Sequence, residues 1–302
     1  MNTPVLILIF NRKAKSLELI RHLRAVKPSR LYISADGPRK DRPEEGAQCE
    51  ATRSATLEAI DWPCQVTTLF RDTNLGCGKA VSSAISWFFD QVEEGIILED
   101  DCMPDPSFFN FCTKMLHFYR NDQYIMHING SNFQFGQRRG TSSYYYSRMP
   151  HIWGWATWRR AWKHYDFSLN KYRHLSTAGL SRTLLHDYKW ILNGKLDTWD
   201  IQWFLSVWFN KGWVIAPNVS MVRNIGYDTE STHTQRIPSW FDKISYGQIN
   251  DVIHPQQRKI DIEADNFENK VIFSPSRTYL MVRDFIKTSP RLMKLYTRLM
   301  AK

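Results

Sequence analysis

Three consecutive carboxylates, Glu99, Asp100 and Asp101, end the apolar run Gly95-Ile-Ile-Leu98 and are followed at once by Cys102-Met-Pro-Asp-Pro106. This pattern predicts a short buried strand whose C-terminal end opens at a crevice, where open α/β sheets hold their ligands. Adjacent carboxylates repel one another and lose solvation when partly buried, so the trio calls for a facing cation or a set of donors. A hard divalent metal carrying phosphate oxygens answers that need, and a polar turn after a strand is the plain alternative. Lys79 opens a predicted helix directly after Gly76-Cys-Gly78, a geometry suited to anions. Asp200 follows Trp199 and begins the apolar run 201–209, so local sequence alone reads it as a helix N-cap, with Asp197 three residues earlier.

The elements that must position these groups alternate along the first hundred residues. Strands are expected at 5–10, 30–35 and 64–70 and in the run that ends at the carboxylates, with helices at 14–26, 44–60 and 79–93. Such alternation calls for an α/β fold with a largely parallel, doubly wound sheet, which by itself licenses no activity. Further on come an aromatic helix at 106–119, a strand at 124–129, a loop at 130–143 and an extended segment at 144–147. Nine of the twelve tryptophans fall within 150–213, as core or as flat platforms for sugar rings. The stretch 218–242 is polar and broken by glycine and proline, a loop long enough to be functional.

Composition sets the outer bounds. A 302-residue chain that is 43% apolar and 14% aromatic can build a real core. Its expected division is an α/β half at 1–129, a tryptophan-rich half of the same domain at 130–245 and a C-terminal extension of basic amphipathic helices at 246–302. The apolar run 5–10 is too short to span a bilayer and does not look like a signal peptide. Five cysteines without CxxC pairs or histidines at zinc spacing indicate neither a disulfide framework nor a structural zinc, and a reducing cytosol is the expected compartment. The net charge of +10 raises the question of a polyanion, yet no zinc-finger spacing, RRM signature or unbroken basic run points to nucleic acid. In the last thirty residues apolar and basic residues alternate at helical spacing, which fits either an anionic membrane surface or packing on the chain's own domain.

Taken in order, Asn11-Arg12, Asp36-Gly37, the turn 71–78, the acid triplet, Trp153-Gly-Trp155 and Trp199-Asp200 resemble the GT-A fold glycosyltransferases. Among these the chain most resembles the inverting N-acetylglucosaminyltransferase I type family and its bacterial relatives, from about residue 4 to residue 235. The resemblance implies a GT-A, Rossmann-like sheet flanked by helices and a metal-dependent transfer of a sugar, N-acetylglucosamine first, from a UDP-sugar donor. The implied acceptor is a hydroxyl of a bacterial surface glycan such as capsule or lipopolysaccharide, or its lipid-linked precursor. By the same resemblance Asp101 is the direct ligand of Mn2+ or Mg2+, Asp100 meets the ribose or a metal-bound water, and Glu99 meets the donor sugar. Arg12 and Asp36 match nucleotide-contacting positions. A carboxylate there can accept from a pyrimidine imide N–H, although an ordinary turn aspartate is the simpler reading of Asp-Gly-Pro.

Lys79 stands where the family carries a histidine, which leaves its phosphate role open. Trp155 falls in Gly154-Trp-Ala-Thr-Trp-Arg-Arg-Ala-Trp162, matched to a Gly-Trp-led helix and counted with the nucleotide-sugar contacts. Inversion needs a base opposite the leaving group, and the motif order makes Asp200 that base, with Asp197 its nearest rival. The stretch 224–234 aligns with a loop that closes over the donor and brings His233 toward the pyrophosphate or metal. Two other classes remain in view. A sugar-nucleotide nucleotidyltransferase needs a glycine-rich loop after the first strand, where this chain has Asn11-Arg-Lys-Ala-Lys15. A non-catalytic carbohydrate-binding protein leaves the three carboxylates and Asp200 without a role.

Overall fold

The computed structural model of the chain describes residues 1–227 and 237–273. Its first half alternates as the sequence predicts: β1 (Val5–Ile9), α1 (Lys13–Arg24), β2 (Arg30–Ala35), α2 (Glu45–Glu58), β3 (Gln65–Phe70), α3 (Cys77–Gln91) and β4 (Glu94–Glu99). There follow β5 (Cys102–Pro104), α4 (Pro106–Phe118), β6 (Ile125–Asn129), β7 (Tyr144–Ser147), β8 (Trp155–Trp158) and α5 (Arg159–Trp162). The chain continues through α6 (Arg182–Leu192), α7 (Asp200–Phe209), β9 (Trp213–Pro217), β10 (Val222–Asn224) and α8 (Ile262–Val271). Eight strands form one sheet in the order β3-β2-β1-β4-β8-β6-β9-β7, while β5 and β10 pair as a separate ribbon. From β3 to β4 every pairing is parallel, and β8 and β7 enter antiparallel. The result is a Rossmann-like, mixed α/β architecture with a mostly parallel sheet flanked by helices.

Burial explains why β1 reads as an unbroken apolar run. Val5, Ile7 and Ile9 join one core with Leu19, Ile20 and Leu23 of α1, while Leu6 and Leu8 join a second with Phe88 of α3 and Trp203 of α7. A strand covered on both faces has no solvent side on which to place polar residues. The chain leaves β1 toward β2 on one side and returns to β4 on the other, so the strand order reverses between β1 and β4. The crevice outside their carboxyl ends is the topological switch point of the sheet.

One expectation changes. The stretch 154–162 is a strand followed by one helical turn, because residues 155–158 are inserted antiparallel between β4 and β6 and all four are buried. One sheet runs through both expected halves, with β6 and β8 as neighbours. Within 246–302 the described part holds α8, which carries Glu263, Asp265 and Glu268 and is tied to the main body, with Gln134 donating to Glu268 at 2.7 Å and His151 pairing with it at 2.7 Å. Residues 274–302, and the membrane contact expected of them, lie outside the described residues, as does His233. No helix among the described residues is long and apolar enough to cross a membrane.

Candidate active site

A cleft of about 710 Å³ opens at the switch point, within the range of small-ligand sites. Its walls gather Arg12, Asp36, Arg71, Asn74, Cys77, Glu99, Asp100, Asp101, Trp153, Asp197, Thr198, Asp200, Gly226 and Tyr227 from across the chain. Arg12 sits just beyond β1 and before α1, and its guanidinium grips Asp100 through two nitrogens and reaches Asp101 Oδ2 at 3.2 Å. Burial works against the Arg12 cation, but the charges of Asp100 and Asp101 outweigh it and raise its pKa. The cation demanded by the acid triplet is therefore present in the chain itself.

One guanidinium does not balance three carboxylates. Burial, reinforced by the charges of Asp101 and Asp100, raises Glu99 well above the usual carboxylate range. Burial likewise pushes Asp100 up to about 6 against the opposing pull of Arg12. Asp101 is more open to the cleft than Asp100, with a side chain 16% exposed against 3%. Its Oδ1 accepts from Asn224 Nδ2 at 3.3 Å, and the floor beside it is kept clear by Gly226, where a Cβ would stand 2.5 Å from Asp101 Oδ2. Among the described residues no group of three His, Cys, Asp or Glu side chains forms a ready-made metal cage. The donor set fits an ion that takes one protein carboxylate and fills its shell from phosphate oxygens and water.

Asp36 lies on the same wall at the end of β2, but its carboxylate is spent on the adjoining loop. It accepts from Gly37 N at 3.0 Å, Leu75 N at 3.0 Å and Asn74 Nδ2 at 2.8 Å, the turn-forming use that its Asp-Gly-Pro setting predicts. Burial raises its pKa against those N–H donors. Arg71, from the end of β3, is a cleft residue that motif reading passed over. Its guanidinium donates to the hydroxyls of Ser34 at 3.2 Å and Ser83 at 2.8 Å, and among the described residues it has no carboxylate in ion-pair contact. The signal was available in Arg71-Asp-Thr-Asn-Leu-Gly76, a basic residue leading into a glycine turn at a strand end.

The anion-suited turn before α3 is filled by the protein's own Asp197. Gly76, at φ +80°, is the N-cap and has no side chain with which to cap the helix, and Asp197 supplies the missing acceptor by taking the Gly78 N–H at 3.1 Å. A Cβ on Gly76 would stand 2.8 Å from Asp197 Oδ2, so close approach of this carboxylate explains the glycines. Lys79 is exposed and does not line the cleft. Trp155 is also displaced from its expected place: it is 1% exposed and packs against His127, Trp162, Trp199 and Trp203 in the core. β8 is buried on both faces, and Gly154, at φ +62°, turns the chain just before it; Trp153, ahead of that turn, stands on the cleft wall beside Tyr227, ring centroids 5.8 Å apart.

Asp200 opens α7, with Trp199 as its N-cap residue. One of its oxygens, Oδ1, accepts from the Thr198 hydroxyl and from Ile201 N at 2.8 Å. Among the described residues no hydrogen bond reaches Oδ2, so the carboxylate is anchored by one edge and has acceptor capacity left at the cleft. The charges of Asp200 and the acid triplet are felt by common neighbours: burial raises the Cys77 thiol, and Glu99 and Asp200 add to it. Two carboxylate systems separated by about a hundred residues of sequence thus face one cavity.

No protein-family model matches the sequence, and no curated protein matches it. Solved structures of similar shape include residues 1–349 of S. aureus TarS, with 12% identity, a TM-score of 0.40, and 74% of this chain and 59% of that chain covered. A second is the glycosyltransferase GlyE of Streptococcus pneumoniae TIGR4, with 10% identity, a TM-score of 0.30 and coverage of 59% and 41%. A third is a cytidylyltransferase from Leptospira borgpetersenii serovar Hardjo-bovis, with 11% identity, a TM-score of 0.33 and coverage of 54% and 63%. The chain spans less than two thirds of each of these three structures, and superpositions this loose carry no argument about activity.

Proposed function

We propose that the chain is an inverting glycosyltransferase that uses a nucleoside diphosphate sugar, UDP-N-acetylglucosamine being the first donor to try. The observation that carries this reading is the convergence, in one cleft at the sheet's switch point, of the Arg12-braced triplet and the half-free carboxylate of Asp200. Transfer of a sugar passes through an oxocarbenium-like state while charge builds on the departing diphosphate. Asp101 would hold a Mn2+ or Mg2+ ion, which when bound stabilises that leaving charge. Arg12 keeps Asp100 and Asp101 in register, and Arg71 offers N–H donors on the nucleotide side of the cleft. Asp200 takes the proton of the acceptor hydroxyl through Oδ2, with Oδ1 held by Thr198 and Ile201. Trp153 and Tyr227 give the acceptor side an aromatic wall suited to a sugar ring, consistent with a glycan or lipid-linked glycan acceptor.

The nucleotidyltransferase alternative gains nothing from the local structure, since β1 passes through Phe10, Asn11 and Arg12 directly into α1 without a glycine loop. A panel of nucleotide sugars, with and without manganese, decides the matter. Manganese-dependent release of a nucleoside diphosphate supports the proposal, pyrophosphate exchange favours the alternative, and neither activity removes both.

A further inference from the structure

Two residues of the 196–200 loop form a brace around the proposed base. Asp197, at the rim, ties the loop to the far wall by accepting from Gly78 N at 3.1 Å, a contact across 119 positions of sequence. Thr198, next in sequence, lines the cleft and donates its hydroxyl to Asp200 Oδ1. Its own carbonyl is held by Gln202 Nε2 at 2.7 Å, and the Trp199 carbonyl accepts from Tyr165 at 3.3 Å. The loop backbone is therefore pinned on both sides of the Thr198 side chain. A carboxylate at the first position of a helix can rotate to cap the free N–H groups with either oxygen. With Oδ1 shared between a hydroxyl and Ile201 N, that rotation is blocked and Oδ2 is left as the outward acceptor.

We propose that Thr198 is the positioning residue of Asp200: its hydroxyl, held in place by the Asp197 latch, selects the carboxylate orientation in which Oδ2 meets the acceptor hydroxyl. The assignment rests on the glycosyltransferase reading for its kinetic consequence but not for its geometry. Proton transfer depends on placement to within a fraction of an ångström, so loss of the brace should lower turnover rather than donor affinity.

The test compares Thr198→Val, which keeps the shape and removes the hydroxyl, with Thr198→Ser, which keeps the hydroxyl and removes the methyl. Thr198→Val is expected to lower kcat about tenfold to a hundredfold with the donor KM within twofold of wild type, and Thr198→Ser to recover most of that loss. Equal losses in both variants would show that the methyl packing matters and would overturn the assignment, as would an unchanged kcat in Thr198→Val. A crystal structure of Thr198→Val separates this from the activity reading: Asp200 should leave its present orientation. If wild type turns over no nucleotide sugar, the enzyme assignment falls and this orientation alone decides the brace. An Asp200 unmoved in the valine variant overturns the brace whatever the activity.

Discussion

The two acidic walls of the cleft solve the same electrostatic problem in different ways. On the triplet wall three successive carboxylates crowd one strand end, and a single guanidinium, Arg12, is shared between two of them. On the wall formed by the start of α7, Asp197 and Asp200 lie three residues apart and accept from neutral donors: a backbone N–H for Asp197, a hydroxyl and a backbone N–H for Asp200. On the proposed reading, a cation arriving with a diphosphate would add to Arg12 at the triplet, and Asp200 would supply the proton acceptor.

Several substitutions separate the walls. Asp200→Asn keeps the Thr198 and Ile201 contacts within reach but removes the proton acceptor, so kcat should fall by ~10²–10⁴ while calorimetric donor binding is retained. Asp101→Asn should lower metal-dependent turnover by at least about a hundredfold and weaken manganese-supported donor binding, which Asp200→Asn leaves in place. If the two variants behaved alike in the binding measurement, the division between the walls would be lost. Arg12→Met removes the guanidinium paired with Asp100 and Asp101 and should destabilise the fold by ~3–5 kcal/mol, read from urea unfolding, because it breaks a buried ion pair from one side.

Asp265 on α8 gives the smallest effect and a yardstick outside the cleft. Burial pushes it up to about 6, opposed by donation from Ser147 and Arg148 N and reinforced by the charge of Glu268. Because its folded pKa lies above the ordinary carboxylate value, its contribution to stability is complete below about pH 4 and is lost as pH rises through 6. Asp265→Asn should change stability by less than about 1 kcal/mol at pH 4 and flatten the melting-temperature profile between pH 4 and 6. An unaltered slope would place that titration elsewhere.

The parallel half of the molecule was legible because β1, β2 and β4 are covered on both faces and the helices between them begin and end at glycine, proline and polar turns. Residues 5–9 and 95–98 could hardly be anything but buried strands. The second half was read less well for a physical reason: a short run such as Trp155-Ala-Thr-Trp158 has too few residues to show whether its period is 2 or 3.6. The resemblance placed Trp155 toward the ligand, and no periodicity was there to correct it in favour of Trp153. The site residues Arg12, Asp100, Asp101 and Asp200 reach one cavity because strand ends and helix starts place them there. The turn role of Asp36 was legible in Asp36-Gly-Pro38, but its contacts with Leu75 and Asn74, and the use that Asp197 makes of Gly76-Cys-Gly78, depend on partners that only folding brings near.

A crystal soaked with UDP and manganese, with the metal located by its anomalous signal, tests the division of labour between the walls most directly. The account predicts a metal peak touching an Asp101 oxygen and the diphosphate, with the uridine toward Arg71 and Asp200 Oδ2 open on the opposite side. A nucleotide bound outside the cleft, or a metal held by Asp197 and Asp200 instead of Asp101, would contradict it.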